Sequence, residues 1–265
     1  MVLFSQLVCL LTILLLGLYI FKRYPIKLQL RDMILASLFV VLALVLSYMS
    51  IMIPLFGFPS LKLSFAQIPL MCLGILIGPG YAFLSGIIYD VLGLLINPTA
   101  FPFLGFTLNN ILVAVIPALW YKQKLSNKKV AWISIGIGVI ASIVFIMYVW
   151  TYTDSIEFVE KYMEISTQMK MLITGIFVAF MSCMMIGLGI WISRKQDEQL
   201  LHWVFCLIMI EVFVHLFLSP LWLEIMYGIP YMVNLFMRVI KTVVVIPLFG
   251  VIGLPLVKLA QKLYK

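Results

Sequence analysis

The chain has 265 residues, of which 65% are hydrophobic and 11% charged, and its 18 Lys and Arg against 10 Asp and Glu give a net charge of +8. A soluble domain carries about 25% charged residues, so this composition excludes a soluble enzyme or a soluble binding module. The apolar runs are continuous rather than alternating, which excludes a closed barrel and predicts an all-α, polytopic transmembrane helix bundle embedded in a lipid bilayer.

A span needs about 20 apolar residues. In chain order the candidate spans are 3–21, 33–54, 67–78, 81–96, 107–121, 130–150, 171–193, 200–219 and 239–258. The first has no basic leader and no small-residue cleavage site, so it reads as a membrane helix and not as a signal peptide. The third and fourth are short and separated by Gly78-Pro79-Gly80, which predicts a tight turn between antiparallel helices. Ala36, Ser37, Gly74 and Gly78 are small residues that allow close helix approach.

The loops set an orientation. Lys22, Arg23, Lys27 and Arg31, then Lys122, Lys124, Lys128 and Lys129, then Arg194 and Lys195, and finally Lys258, Lys262 and Lys265 all fall on one side of a nine-span chain. The longest opposite loop carries Asp154, Glu157, Glu160 and Glu164. The positive-inside rule then predicts a multi-pass cell-membrane protein with the N-terminus outside and the C-terminus cytoplasmic. It also accounts for the basic charge without nucleic acid as a partner. The outer loops 55–66 and 97–106 are rich in aromatic residues and short of charge, suited to roofing a cavity open to the exterior.

Few polar residues interrupt the spans. Asp90 is the most internal acid, and an intramembrane carboxyl marks either a structural pair or a solute site. Thr107 opens the fifth span as a natural N-cap, and Asn110 offers a donor and an acceptor to a flat heterocycle. Glu211 and His215 are four apart and able to pair. No HExxH, Walker or GxSxG element accompanies them, so no metal site, cofactor or catalytic residue is expected. Cys9, Cys72, Cys183 and Cys206 lie inside apolar runs as buried thiols.

Arg238 and Lys241, three apart, share a helix face at the mouth of the last span. They serve either as headgroup anchors or as a clamp for carboxylates. Trp222, Glu224, Tyr227 and Asn234 precede them, a set more like a binding site than a lipid belt.

Several motifs in order resemble one family. Ile68-Pro69, Gly74, Gly78-Pro79, Gly86, Asp90 and Gly93 resemble the opening helices of the S components of energy-coupling-factor (ECF) transporters. Pro98, Phe101-Pro102 and Gly105-Phe106-Thr107-Leu108 are similar to the Pro-Gly-Phe-Thr-Leu segment of the folate-specific branch, with Leu104 in place of its proline. Leu221-Trp222-Leu223, Met226-Tyr227-Gly228, Arg238, Ile240-Lys241 and Pro247 resemble that branch's last two helices, with Ser219-Pro220 where an Asn commonly stands.

The resemblance implies a six-helix S-component-like core plus about three additional helices. The chain then divides into an extra N-terminal helix and basic linker (1–30), core helices 1–4 (31–121), an inserted helix pair (122–199) and core helices 5–6 (200–265). The implied function is a membrane-embedded vitamin-binding subunit, not an enzyme, working with a transmembrane coupling subunit and two cytoplasmic ATPase subunits. Folate or a related pterin is the implied substrate, with Asp90, Phe106, Thr107, Asn110, Trp222, Tyr227, Arg238 and Lys241 as candidate binding residues. Phe101 and Phe103 are further stacking candidates. The family's small-residue pair facing the coupling subunit maps to Ala36 and Val40. The alternatives are an S component for another vitamin, or an intramembrane enzyme or lipid-phosphate-handling protein using Glu211 and His215 with the cationic pair.

Overall fold

The computed structural model describes residues 2–55, 58–96, 102–123, 127–152, 155–158, 161–164, 166–194 and 198–264. The helices are α1 (Val2–Arg23), α2 (Leu30–Tyr48), α3 (Gln67–Ile77), α4 (Pro79–Ile96), α5 (Leu104–Lys122), α6 (Asn127–Tyr152), α7 (Thr167–Arg194), α8 (Glu198–Met209), α9 (Ser219–Tyr227) and α10 (Tyr231–Tyr264). A π-helical segment, Ile210–Leu218, joins α8 to α9, and together they make one apolar span, Gln199–Tyr227. Among the described residues seven helical stretches are long and apolar enough to cross a membrane, and Gln67–Ile77 and Ile135–Thr151 are shorter apolar helices. The chain is therefore a multi-pass, all-α membrane protein, with a helix at every predicted span.

Two short antiparallel hairpins interrupt the helices, β1 (Ile51–Leu55) with β2 (Phe58–Leu63) and β3 (Ser155–Phe158) with β4 (Lys161–Glu164). The first corrects the expected end of the second span. The helix stops at Tyr48 instead of 54, and Pro54, which has no N–H donor and disfavours helix in the residue before it, stands in the strand that follows. The register slips between Ile53 and Leu55, around that proline. The last span is corrected in the other direction. α10 begins at Tyr231, not 239, after Gly228 ends α9 in the left-handed conformation (φ 64°) and Pro230 precedes the new helix. Arg238 and Lys241 thus lie two turns inside a helix rather than at its mouth. Their charges lower the local hydropathy without shortening the helix.

The chain forms two compact units, Met1–Lys124 with Cys206–Lys265, and Leu125–Phe205. In the first, α5 packs against both α3 and α4. Gly74 and Gly86 make this possible: a Cβ at Gly86 would stand 2.6 Å from the Ile111 Cα, and one at Gly74 would overlap the Ala114 carbonyl. The predicted turn is present. Gly78, at φ 111°, occupies a conformation open to glycine, and α4 starts on Pro79.

α1 packs on α4 and α5, with the Phe21 and Phe83 rings edge to face at 5.5 Å. α2 packs on α3 and α4. Its buried stripe is Ala36, Val40, Ala43 and Leu44, while Met33, Leu38, Val41, Leu42 and Val45 face outward. Ala36 and Val40, expected on a partner-facing surface, are 8% and 3% exposed. Both pack within this chain, where α2 meets α3 and α4. At the opposite end of α2, Tyr264 donates its hydroxyl to Asp32 at 2.8 Å. The Arg31 guanidinium lies 4.6 Å over the Tyr264 ring and donates to its carbonyl, tying the end of α10 to the start of α2.

In the second unit α6 and α7 pack on one another through Phe145 and Phe177, whose rings are 3.9 Å apart. Met185 fills the space beside Gly138. The hydroxyls of Ser142, Thr151 and Thr174 bond back to carbonyls of their own helices at Gly138, Met147 and Lys170. Cys9, Cys72 and Cys206 are buried as expected; Cys183 is instead exposed, on the outward face of α7.

Candidate functional site

Two polar clusters lie within the first unit. The first joins α4 to α5. Thr107 donates its hydroxyl to Asp90 Oδ2 at 2.6 Å, and Asn110 donates its amide to Asp90 Oδ1 at 2.8 Å. Thr107 and Asn110 sit one turn apart, so one carboxylate spans both. Thr107 is not the helix cap that its sequence position suggested. α5 begins at Leu104 after an extended Phe103, and the Thr107 side chain points across to α4. One residue round the helix, Asn109 donates to Ser219 Oγ at 3.1 Å and accepts from the Trp222 indole N–H at 3.2 Å. Trp222 also packs on Phe103, with centroids 5.6 Å apart, and Phe103 on Phe106 at 5.9 Å. The start of α5 and the first turn of α9 are thereby held together.

The second cluster is built on the π segment. Winding the chain more loosely than an α-helix lets Ser219 donate both its N–H and its hydroxyl to the Val214 carbonyl. Pro220 has no N–H to offer the preceding turn, and the Tyr231 hydroxyl reaches the Leu216 carbonyl at 3.5 Å. π segments recur at functional sites because they rotate side chains out of the regular helical stripe. Glu211 and His215 lie within this segment.

Glu211 is fully buried. Its Oε1 accepts from the Gln67 amide at 3.2 Å, and Thr242 Oγ1 lies 3.4 Å from its Oε2. His215 Nε2 meets Gln67 Oε1 at 3.1 Å and stands 4.0 Å from Glu211. Glu211 and His215 therefore approach as their spacing predicted, with Gln67 of α3 bridging them. No group of three or more His, Cys, Asp or Glu able to hold a metal occurs among the described residues.

The π segment, α3 and β2 all border α10. Asn234, Arg238 and Lys241 recur along α10 at helical spacing and form one face, and Thr242 bonds back to the Arg238 carbonyl at 2.9 Å. The Glu211 carboxylate interacts electrostatically with both Arg238 and Lys241. A buried acid near two cations offsets part of the cost of holding their charge in an apolar bundle. Among the described residues, Asn234 Oδ1 and Arg238 Nε are buried without a hydrogen-bond partner.

The predicted residues thus separate into groups. Asp90, Thr107 and Asn110 come together on α4 and α5. Arg238 and Lys241 come together on α10. Phe106 and Trp222 belong to the aromatic group at the start of α5, with Trp222 only 6% exposed, whereas Tyr227 is half-exposed at the end of α9. Phe101 lies outside the described residues. Sequence reasoning missed Gln67, Asn109 and Thr242 as partners, since single amides and hydroxyls carry no spacing signal. Asn234 had one: it precedes Arg238 by four and Lys241 by seven.

Comparison with known proteins fits this architecture. Residues 31–257 match the family described as "ECF transporter, substrate-specific component". Over 87 residues the chain is 36% identical to the folate transporter FolT of Clostridium novyi (strain NT), a match covering 32% of this chain and 49% of that protein. The chain thus spans about half the length of the curated relative it matches. The crystal structure of FolT bound with folic acid has the same fold, with a TM-score of 0.52 at 20% identity over 87% of this chain and 94% of that one. With α2 through most of α10 inside the family match, this multi-pass membrane protein belongs to the substrate-specific components of ECF transporters.

Proposed function

We propose that this chain binds folate or a closely related pterin at the extracellular side of the membrane. It delivers the ligand inward together with a transmembrane coupling subunit and two cytoplasmic ATPase subunits, and performs no catalysis itself. The N-terminus lies outside and the C-terminus in the cytoplasm.

The observation that carries this reading is the cationic face of α10 in a family whose folate-transporting member is 36% identical over the matched stretch. Folate carries two carboxylates on its glutamyl tail, and a planar guanidinium with a point-charge ammonium one turn away is a suitable pair of hosts. Phe106 and Tyr227 are assigned to the aromatic rings of the ligand. Asp90, Thr107 and Asn110 form the wall on the α4–α5 side, and Trp222 braces that wall from behind.

The test is ligand identification. Protein purified in detergent and denatured should release a pterin, detected by absorbance and mass spectrometry, at near-stoichiometric yield. Empty protein that also ignores added folates would move the reading to another vitamin.

A further inference from the structure

The face of α10 is incomplete in a specific way. Asn234 is 1% exposed, and its amide nitrogen is directed at the Ile229 carbonyl at 3.5 Å. A carbonyl can only accept, so this contact sets the amide orientation and turns Oδ1, an acceptor, the other way. That oxygen has no partner among the described residues, and neither does the Arg238 Nε–H, a donor one helical turn further on. Four residues of helix separate the two by a rise of about 6 Å. Buried polar atoms are nearly always satisfied, so an unfilled acceptor beside an unfilled cationic donor calls for a ligand offering the complement.

The complement is an N–H donor next to an anionic acceptor. We infer that Asn234 and Arg238 together receive the α-amido carboxylate unit of an N-acylated amino acid, –CO–NH–CH(R)–COO⁻, with Asn234 as a specificity-determining residue. In that unit one carbon separates the amide nitrogen from the carboxylate, so both reach a donor–acceptor pair one turn apart. The amide N–H donates to Asn234 Oδ1 and the carboxylate accepts from Arg238, leaving Lys241 for a second anion on R. For the identity of the whole ligand this inference rests on the proposed function, because the glutamyl tail of folate is such a unit.

The consequence is selectivity for the tail, not the ring. A site built to pair an N–H discriminates against a ligand without one, because its own acceptor is left buried and unpaired. The experiment measures the affinities of folic acid, pteroic acid (which lacks the glutamyl unit) and N-(4-aminobenzoyl)-L-glutamate for the purified wild type and for Asn234→Leu. The wild type should prefer folic over pteroic acid by about 10- to 100-fold. Asn234→Leu should lower that preference by about 10-fold, by weakening folic acid while pteroic acid stays within about threefold, which also reports an intact fold. A variant that binds neither is read through Asn234→Ala, where the same collapse of the ratio is required.

A wild type that binds both ligands equally, or an Asn234→Leu that keeps the wild-type ratio, overturns the inference and leaves the folate reading standing. If the wild type ignores both pterins yet binds N-(4-aminobenzoyl)-L-glutamate in an Asn234-dependent way, the folate reading fails and the inference survives. Binding of none of the three overturns both.

Discussion

The Asp90 cluster and the α10 face lie in the same helical unit, use the same kinds of side chain, and are finished in opposite ways. Around Asp90 each carboxylate oxygen already has its donor, and the neighbouring Asn109 is matched on both sides by Ser219 and Trp222. Along α10 the Glu211 acid neutralises charge from behind, while Asn234 and Arg238 still hold an unfilled acceptor and an unfilled donor. A closed network resists change because each removal orphans a partner inside the protein. An open one is completed only by something that arrives. Burial and polarity alone do not separate structure from recognition; the count of unanswered hydrogen bonds does.

Substitutions should expose this contrast, and the largest effect belongs to the open face. Arg238→Ala removes the planar host and should weaken folate by at least about 100-fold, since losing one partner of a buried charge pair costs roughly 3–5 kcal/mol. Titration calorimetry measures this, and the unfolding temperature in detergent should move little. An unchanged affinity would assign Arg238 to the lipid interface. Glu211→Leu should act on both quantities. It deprives Gln67 of its acceptor and leaves two cations without a counter-charge, so unfolding by heat or denaturant should show a loss of about 3 kcal/mol. Glu211→Gln, which keeps an acceptor, should lose less.

Asp90→Leu should show the reverse profile to Arg238→Ala. Two donors are orphaned, so about 1–2 kcal/mol of stability is lost, in line with hydrogen bonds between membrane helices. Folate affinity should stay within about tenfold. A larger affinity loss with unchanged stability would move Asp90 into direct ligand contact and erase the contrast drawn here. The smallest effect is expected for Trp222→Phe, which keeps the packing on Phe103 and gives up one hydrogen bond to Asn109. A stability change of about 1 kcal/mol, read by thermal unfolding, is the expected result.

Much of the fold was legible because hydrocarbon is an unforgiving solvent. Any backbone crossing it must satisfy its own hydrogen bonds, so long apolar runs had to be helices. Gly78-Pro79 had to break one of them, because neither residue continues a helix comfortably from the one before. Boundaries were less legible. α2 ended at Tyr48 in favour of a hairpin that contains Pro54, and α10 ran through Arg238, Lys241, Pro247 and Pro255 where hydropathy suggested a later start.

The candidate residues were found by their rarity, since Asp90, Arg238 and Lys241 stand out in an apolar chain. Their partners were not, because Gln67 lies 144 residues from Glu211 and Asn109 lies 113 from Trp222. Composition and periodicity by themselves determined the membrane setting, the helix at each apolar run and the short list of polar residues, all consequences of local chemistry against a fixed solvent. Only the tertiary structure decided which of those residues answer one another, that Ala36 and Val40 face inward, and that Asn234 and Arg238 are left open. Those facts depend on helices far apart in sequence arriving at one place, and no local pattern encodes that meeting.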